Sequence, residues 1–588
     1  MKKYSEIIIS SALILLLSAC NDFLDRTPYD QIDSEKVFTN VALAEAAVTG
    51  AYSNIKADYI DNSGSTLNWD AFASVLDPNS DFINSNYLYL KGMILPNDAS
   101  FLSYWKRFYE GINRANDVIN NISQVTEMSD QLKAQRIAEC KFLRAYHYYR
   151  LNCLWRGVPI YMENLAPSEY KNPRSSEEAV WQIIIDDLTD CINCKELPDK
   201  YKSNDSDYGR VTKGAAYTLR GKTYLWMKQY KNAEDDFRKV GELGYKLYEG
   251  DYADLFKETN EKCDEMIFSV QMEDVSNQGN VFSRTYGNKT TAGNGNSSFF
   301  ANTNFVNSYE WANGKSFDWN DVIDGYNEMS EKARSVYFLR NGLTSTERNL
   351  MQSYGADMNE YLDNGNEERI RDAYTGRDPR MEATVITPYA KYLGGFSGEE
   401  VTYTARFPYR STASPNFDIQ TNSDQHYLYS IRKFVTEGRK YLNILQNPVD
   451  VPIFRYADVL LGLAEALNEQ DKYKDAIPYV NMVRKRAGIA LLNDVAYLGE
   501  PVNSSDDLRP RIRNEKKWEL ACEEMLYYDE LRWDSWKDSK FGANNGLLEV
   551  WGSPVYKYAW GCSAYLKWPI PSSEKEKNPS LEQNEGWY

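Results

Sequence analysis

Two stretches of this chain, far apart in sequence, repeat one helical pattern, and that recurrence limits the folds open to it. Leu219, Gly221, Tyr224, Tyr230, Ala233 and Phe237 alternate small and large residues at helical spacing. The pattern returns at Leu463, Ala464, Ala466, Leu467, Tyr473, Ala476 and Tyr479, and Tyr230-Lys-Asn-Ala233 has its counterpart in Tyr473-Lys-Asp-Ala476. Small residues at such positions let paired helices approach closely, while tyrosines fill the gaps between pairs. Two units so widely separated do not form a regular solenoid. They predict a helical scaffold with material inserted between its repeats.

The alternation is that of a tetratricopeptide helix pair, and the rest of the chain extends the scaffold. Apolar spacings of three and four predict helices over 36–56, 101–125, 129–155, 175–197 and 211–240, then over 451–490 and 508–536. Arg156-Gly-Val-Pro159 predicts a stop after the third of these. Residues 255–440 have weak periodicity and are rich in Gly, Asn, Ser and Thr, as in Gly287 to Ser298. Met266–Val270 and Glu382–Ile386 read as short strands within them. Long loops on a rigid scaffold serve as binding apparatus or as decoration. The expected fold class is mostly α, a tetratricopeptide-like scaffold with a loop-rich, irregular insertion carrying short strands. The expected divisions are a signal peptide at 1–19, a lipidated tether at 20–35, a helical part at 36–254, the insertion at 255–440, and a C-terminal helical part of the same domain at 441–588.

The N-terminus predicts where the chain works. Lys2 and Lys3 precede an apolar run from Ile7 to Leu17, too short to span a membrane, and Leu17-Ser-Ala-Cys20 closes it. Small residues before a cysteine have the shape of a lipoprotein cleavage site, at which Cys20 is acylated and becomes the new N-terminus. An ordinary secretory signal with an incidental cysteine is the alternative. Two or three acyl chains give stable anchoring where one gives marginal binding.

Composition narrows the function classes. A formal charge of −18 argues against nucleic acid and against docking on anionic lipid. Only two histidines exist, His147 in an aromatic helical run and His426 in a polar stretch, so a histidine-rich zinc site is not expected. His147 reads as a packed core residue and His426 as a loop residue. Cys191-Ile-Asn-Cys194 has CxxC spacing without a second pair; it reads as two buried helix residues one turn apart, with a local disulfide as the alternative and a redox motif a distant second.

Signature stretches then add up along the chain. Cys20-Asn-Asp-Phe-Leu-Asp25 is followed by Ala138 to Tyr146, Leu154-Trp-Arg-Gly-Val-Pro-Ile160, Phe454 to Leu467, Val480 to Gly488, Ile512 to Leu520, Tyr528-Asp-Glu-Leu-Arg-Trp533 and Trp568-Pro-Ile-Pro571. In this order they resemble the SusD/RagB family of Bacteroidota outer-membrane lipoproteins. The resemblance implies outward-facing attachment to the outer membrane and a SusC-like TonB-dependent barrel as partner, with this chain as its hinged lid. It implies capture of a nutrient, an oligosaccharide or sometimes a peptide, with no catalysis and no cofactor. One departure is Lys517, where the family commonly has arginine; lysine keeps the charge but loses bidentate pairing. Glu139, Arg144, Arg455, Glu465, Arg484, Glu515 and Glu519 sit among helix-core positions and predict partly buried ion pairs rather than binding groups.

A sugar binder wants exposed aromatic platforms flanked by polar groups. Aromatics outside the helical periodicity are the candidates: Trp69, Tyr87 and Tyr89 in the early polar connection, Tyr286 and Phe300 beside the Gly/Asn loop, and Trp319 in Phe317-Asp-Trp-Asn-Asp321. Tyr309-Glu-Trp-Ala-Asn-Gly314 resembles a family segment that positions the loop. Asp318, Asn320, Asp321 and Asp324 could hold calcium, although the spacing is no EF-hand and a solvated acidic turn is the favoured reading. Two rivals remain: a glycoside hydrolase, which needs a carboxylate pair across a cleft, and an adaptor lipoprotein that binds protein through its repeats.

Overall fold

The computed structural model describes residues 37–60, 75–78, 89–423, 425–523, 525–542 and 545–587. The leader, Cys20 and the tether lie outside them. Before the insertion run α1 (Val41–Ile60), α2 (Ala99–Asn121), α3 (Asp130–Trp155), α4 (Glu177–Asn193), α5 (Lys213–Trp226) and α6 (Tyr230–Glu242). Local sequence sets their starts. Asp98, Ser129, Ser176 and Thr212 each cap a helix, their side-chain oxygens accepting a backbone N–H of the first turn. At the expected stop after α3, Arg156 and Gly157 both take positive φ. The run 211–240 is the expected helix pair, α5 and α6.

After the insertion come α7 (Tyr456–Asn468), α8 (Tyr473–Ala487), α9 (Ser505–Glu519) and α10 (Met525–Arg532). Neighbours in sequence pack pairwise from α1 to α6, and α6 then packs on α7, which also contacts α8 and α9. The scaffold is therefore continuous in space where the sequence is interrupted. Phe237 of α6 fills the joint. A Cβ on Gly221 of α5 would lie 2.7 Å from its ring, and one on Gly462 of α7 would lie 2.9 Å away. Two glycines make room for one ring between repeat units that are distant in sequence.

The insertion leaves and re-enters the scaffold through one antiparallel ladder, β2 (Met266–Val270) against β8 (Val451–Arg455). Inside it are short helices, turns and further two-stranded pairings, among them β4 (Val385–Ile386) with β7 (Ser430–Ile431) and β5 (Lys391–Gly394) with β6 (Val401–Thr404). Met266–Val270 is a strand as its pattern predicts. Glu382–Ile386 is one only at Val385–Ile386. The preceding residues close a short helix, Pro379–Thr384, because Asp378 caps it and Pro379 pre-sets its first turn.

The core ion pairs are more buried than predicted. Lys433 and Arg455 meet Glu523, each at 2.7 Å; Arg455 also meets Glu265 at 2.6 Å, and Arg486 joins Glu265 to Glu519. Arg380 binds Glu519, Asp378 and Glu515, while Arg484 links Glu515 to Glu310, which also takes Arg511 at 2.6 Å. The named groups are six cations and six carboxylates, so the network is neutral. It ties residues of the insertion to β8, α8, α9 and the turn after α9. Lys517 pairs with Glu530 at 3.2 Å.

Cys191 is buried near the end of α4, and Cys194 follows the helix and is partly exposed, which corrects the expectation of two buried helix cysteines. Both are free thiols, facing the carbonyls of Ala138 and Ala134 on α3. His147 is buried as expected, and His426 lies in a loop with Nδ1 3.1 Å from Glu549.

Candidate functional site

The early segment meets the insertion at a strand pairing. β1 (Leu76–Pro78) runs antiparallel to β3 (Phe299–Ala301), with Asp77 opposite Phe300. Asp77 is fully buried and would be costly there unpaired. Its carboxylate takes Lys540 Nζ at 3.0 Å, Asn302 Nδ2 at 2.8 Å and the Tyr558 hydroxyl, while Lys540 also donates to the Leu76 carbonyl at 2.6 Å. One carboxylate thus fastens three parts of the chain: the early segment, the insertion and the C-terminal hairpin of β9 (Gly546–Leu548) and β10 (Pro554–Lys557). Committed to these donors, it is unavailable as a general acid or base.

The hairpin supplies an aromatic edge. Pro554-Val-Tyr-Lys-Tyr-Ala-Trp560 places an aromatic at every second residue, and in extended chain that spacing puts all three on one face. Tyr556, Tyr558 and Trp560 are each half-buried. Tyr556 and Tyr558 are 5.8 Å apart between ring centroids, and Phe541 backs Tyr558 at 6.1 Å and Trp560 at 5.0 Å. The Tyr556 hydroxyl donates to the Pro78 carbonyl, and Lys91 lies 4.7 Å above the Tyr556 ring. Partly exposed and backed by packed side chains, such rings offer a rigid apolar surface. These residues were not picked out from the sequence, although their two-residue aromatic period was there to read.

The four picked-out residues that are described do not form this edge, although Phe300 packs in the small cluster that Tyr556 borders. Trp69 and Tyr87 fall outside the described residues. Tyr89, Tyr286, Phe300 and Trp319 are all interior, which corrects their reading as exposed platforms. Tyr89 stacks between Tyr565 at 5.1 Å and Trp536 at 5.5 Å and donates its hydroxyl to the Tyr565 carbonyl. Tyr286 stacks on Phe282 at 5.2 Å; Phe300 joins Leu428 and Leu547; Trp319 stacks on Tyr326 at 4.8 Å. For Tyr286, Phe300 and Trp319 the physical reason is shared. The insertion is irregular in backbone but large enough to bury its own aromatic core, so loss of helical periodicity does not signal exposure.

The acidic turn near Trp319 is engaged with itself. Asp318 accepts from the Asn320 backbone at 2.8 Å and from Asn327 Nδ2 at 2.7 Å, and Asp321 pairs with Lys315 at 2.8 Å. Among the described residues no group of three or more His, Cys, Asp or Glu could hold a metal ion. The segment from Tyr309 to Gly314 anchors the insertion: Tyr309 stacks on Trp518 at 5.9 Å, and Glu310 enters the buried ion network.

Comparison with known proteins agrees with this architecture. A model of the SusD family matches residues 264–587, and a second, described as starch-binding and associating with the outer membrane, matches residues 22–225. SusD-like protein P25 of Formosa agariphila is 25% identical over 98% of each chain. A crystal structure of a SusD-like protein from Bacteroides fragilis superposes with a TM-score of 0.72 at 21% identity, over 96% of this chain and 100% of that one. Surface glycan-binding protein A from Bacteroides thetaiotaomicron, solved with laminarihexaose, gives 0.59 at 18% identity, over 93% and 100%.

Proposed function

The chain belongs to the SusD family, and from that premise we propose that it is a surface lipoprotein of the outer membrane that captures an oligosaccharide without transforming it. The captured glycan passes to a SusC-like TonB-dependent barrel, over which this protein forms the lid. The observation that carries the reading is the aromatic edge of Tyr556, Tyr558 and Trp560, held where the early segment joins the insertion. Its rings suit the flat C–H faces of sugars, and the nearest buried carboxylate, Asp77, is spent on structure. A fold shared with a glycan-binding protein solved with laminarihexaose supports the same ligand class. Attachment rests on Cys20 and its small-residue approach.

The test is made in cells of the source bacterium carrying the tagged chain. The wild type is expected in the outer-membrane fraction, drawing a TonB-dependent barrel with it in mild detergent, and Cys20→Ser is expected in the soluble fraction. A wild type that is soluble, or membrane-bound but never accompanied by a barrel, would refute the anchor or the partnership respectively.

A further inference from the structure

A second site lies away from the aromatic edge, in a cleft of about 500 Å³ between α1 and the root of the insertion. Its walls are Tyr52 and Lys56 from α1, Tyr208 from the connection before α5, Ser269 and Gln271 at β2, and Asn277 just beyond. That volume falls within the range of small-molecule pockets. Both rings are fixed by their hydroxyls: Tyr52 donates to Glu139 at 2.9 Å and accepts from the Val211 N–H, and Tyr208 donates to the Glu261 carbonyl at 3.3 Å.

Two of the charged groups in the cleft are ion-paired, and the third, Lys56, is held by a neutral amide. Lys56 donates to Gln278 at 2.7 Å, Arg210 pairs with Glu139 at 2.9 Å, and Asp207 lies 3.4 Å from Arg136. The groups left over are neutral. The Ser269 hydroxyl is buried without a hydrogen-bond partner, which is an expensive state, and the Gln271 and Asn277 amides are exposed and unengaged among the described residues. Gly209, with φ of 95°, brings the connection against Gln271; a Cβ there would lie 2.6 Å from its amide. Free amides beside two fixed rings suit a hydroxyl-rich ligand, whereas a wholly apolar molecule would strip water from the amides and from Lys56 without replacing it.

We propose that this cleft is a second carbohydrate subsite, taking two or so sugar units of an oligosaccharide between the scaffold and the insertion. The proposal rests on the glycan reading above and adds a place to it. A ligand there bridges α1 and β2 and so couples the insertion to the N-terminal helices.

The test uses hydrogen exchange on the lipid-free chain with maltotriose, laminaritriose, cellotriose, xylotriose and mannotriose at millimolar concentration. With at least one of them, the amides of 206–210 and 268–278 are expected to gain protection. Gln271→Ala combined with Asn277→Ala is expected to weaken that response by about tenfold or more and to leave 554–560 unaffected. Both side chains are exposed and have no hydrogen-bond partner among the described residues, so the double variant is expected to fold as the wild type does. Protection confined to 554–560 overturns the cleft alone. No protection in either region with any probe overturns the cleft and the glycan reading together.

Discussion

Glu519→Gln is expected to destabilise the protein by about 3–5 kcal/mol at neutral pH, the usual cost of breaking a buried ion pair from one side. Glu519 is fully buried and faces Arg380 at 3.2 Å, Arg455 at 2.6 Å and Arg486. Burial alone would raise its pKa; the three guanidiniums instead hold the carboxyl below the usual range. Neutralising it leaves the buried network with one positive charge in excess. The damage reaches beyond one pair, because this network holds the insertion to the C-terminal helices. Urea titrations measure the loss. The control is Glu469→Gln, which breaks the more exposed pair with Arg509 and is expected to cost under about 1 kcal/mol. Equal losses in the two variants would mean that the buried network contributes no more than a surface contact.

The second large effect is acid lability centred on His147. Its ring is 1% exposed, and among the described residues neither nitrogen has a hydrogen-bond partner. It is wedged against α2, where a Cβ on Gly111 would lie 2.2 Å from Nε2. Burial first, then Arg150 and Arg114, push its pKa from 6.5 down to about 3. Below pH 6.5 the unfolded chain therefore takes up a proton on His147 that the folded chain refuses until about pH 3. Stability should fall by about 1.4 kcal/mol per pH unit across that window from this residue alone. Other groups titrate nearby; burial lifts Glu261 to about 7, which acts in the opposite direction. The informative quantity is thus the difference between wild type and His147→Leu, followed by denaturant unfolding from pH 7 to pH 4. The wild type should lose ground steadily below pH 6.5, and parallel curves would contradict a neutral buried imidazole.

The scaffold was legible in the sequence because helix pairing is written locally. Gly221, Phe237 and Ala233 announce close packing through size alone, and the structure seats Phe237 between two glycines. The charged residues set among core positions announced buried pairs in the same way. Which charges would meet was not legible, since Glu265 reaches Arg455 and Arg380 reaches Glu515 across the fold. The binding face was read least well. Trp319 and Tyr286 lie in sequence that looks like loop yet pack in the interior, because burial in the insertion depends on contacts between distant segments. The aromatic edge was missed for the opposite reason: Tyr556, Tyr558 and Trp560 follow a helical region, and the contacts that place Tyr556 and Tyr558 against the early segment join residues far apart in sequence.

The central claim is capture without chemistry, and calorimetry on the lipid-free chain with glycans from a binding screen, followed by analysis of the recovered sugar, tests it most directly. The account predicts saturable binding of an oligosaccharide, recovery of that sugar intact after long incubation, and marked weakening by Tyr556→Ala with Trp560→Ala. A cleaved sugar, or binding indifferent to the aromatic edge with peptides preferred over glycans, would contradict it.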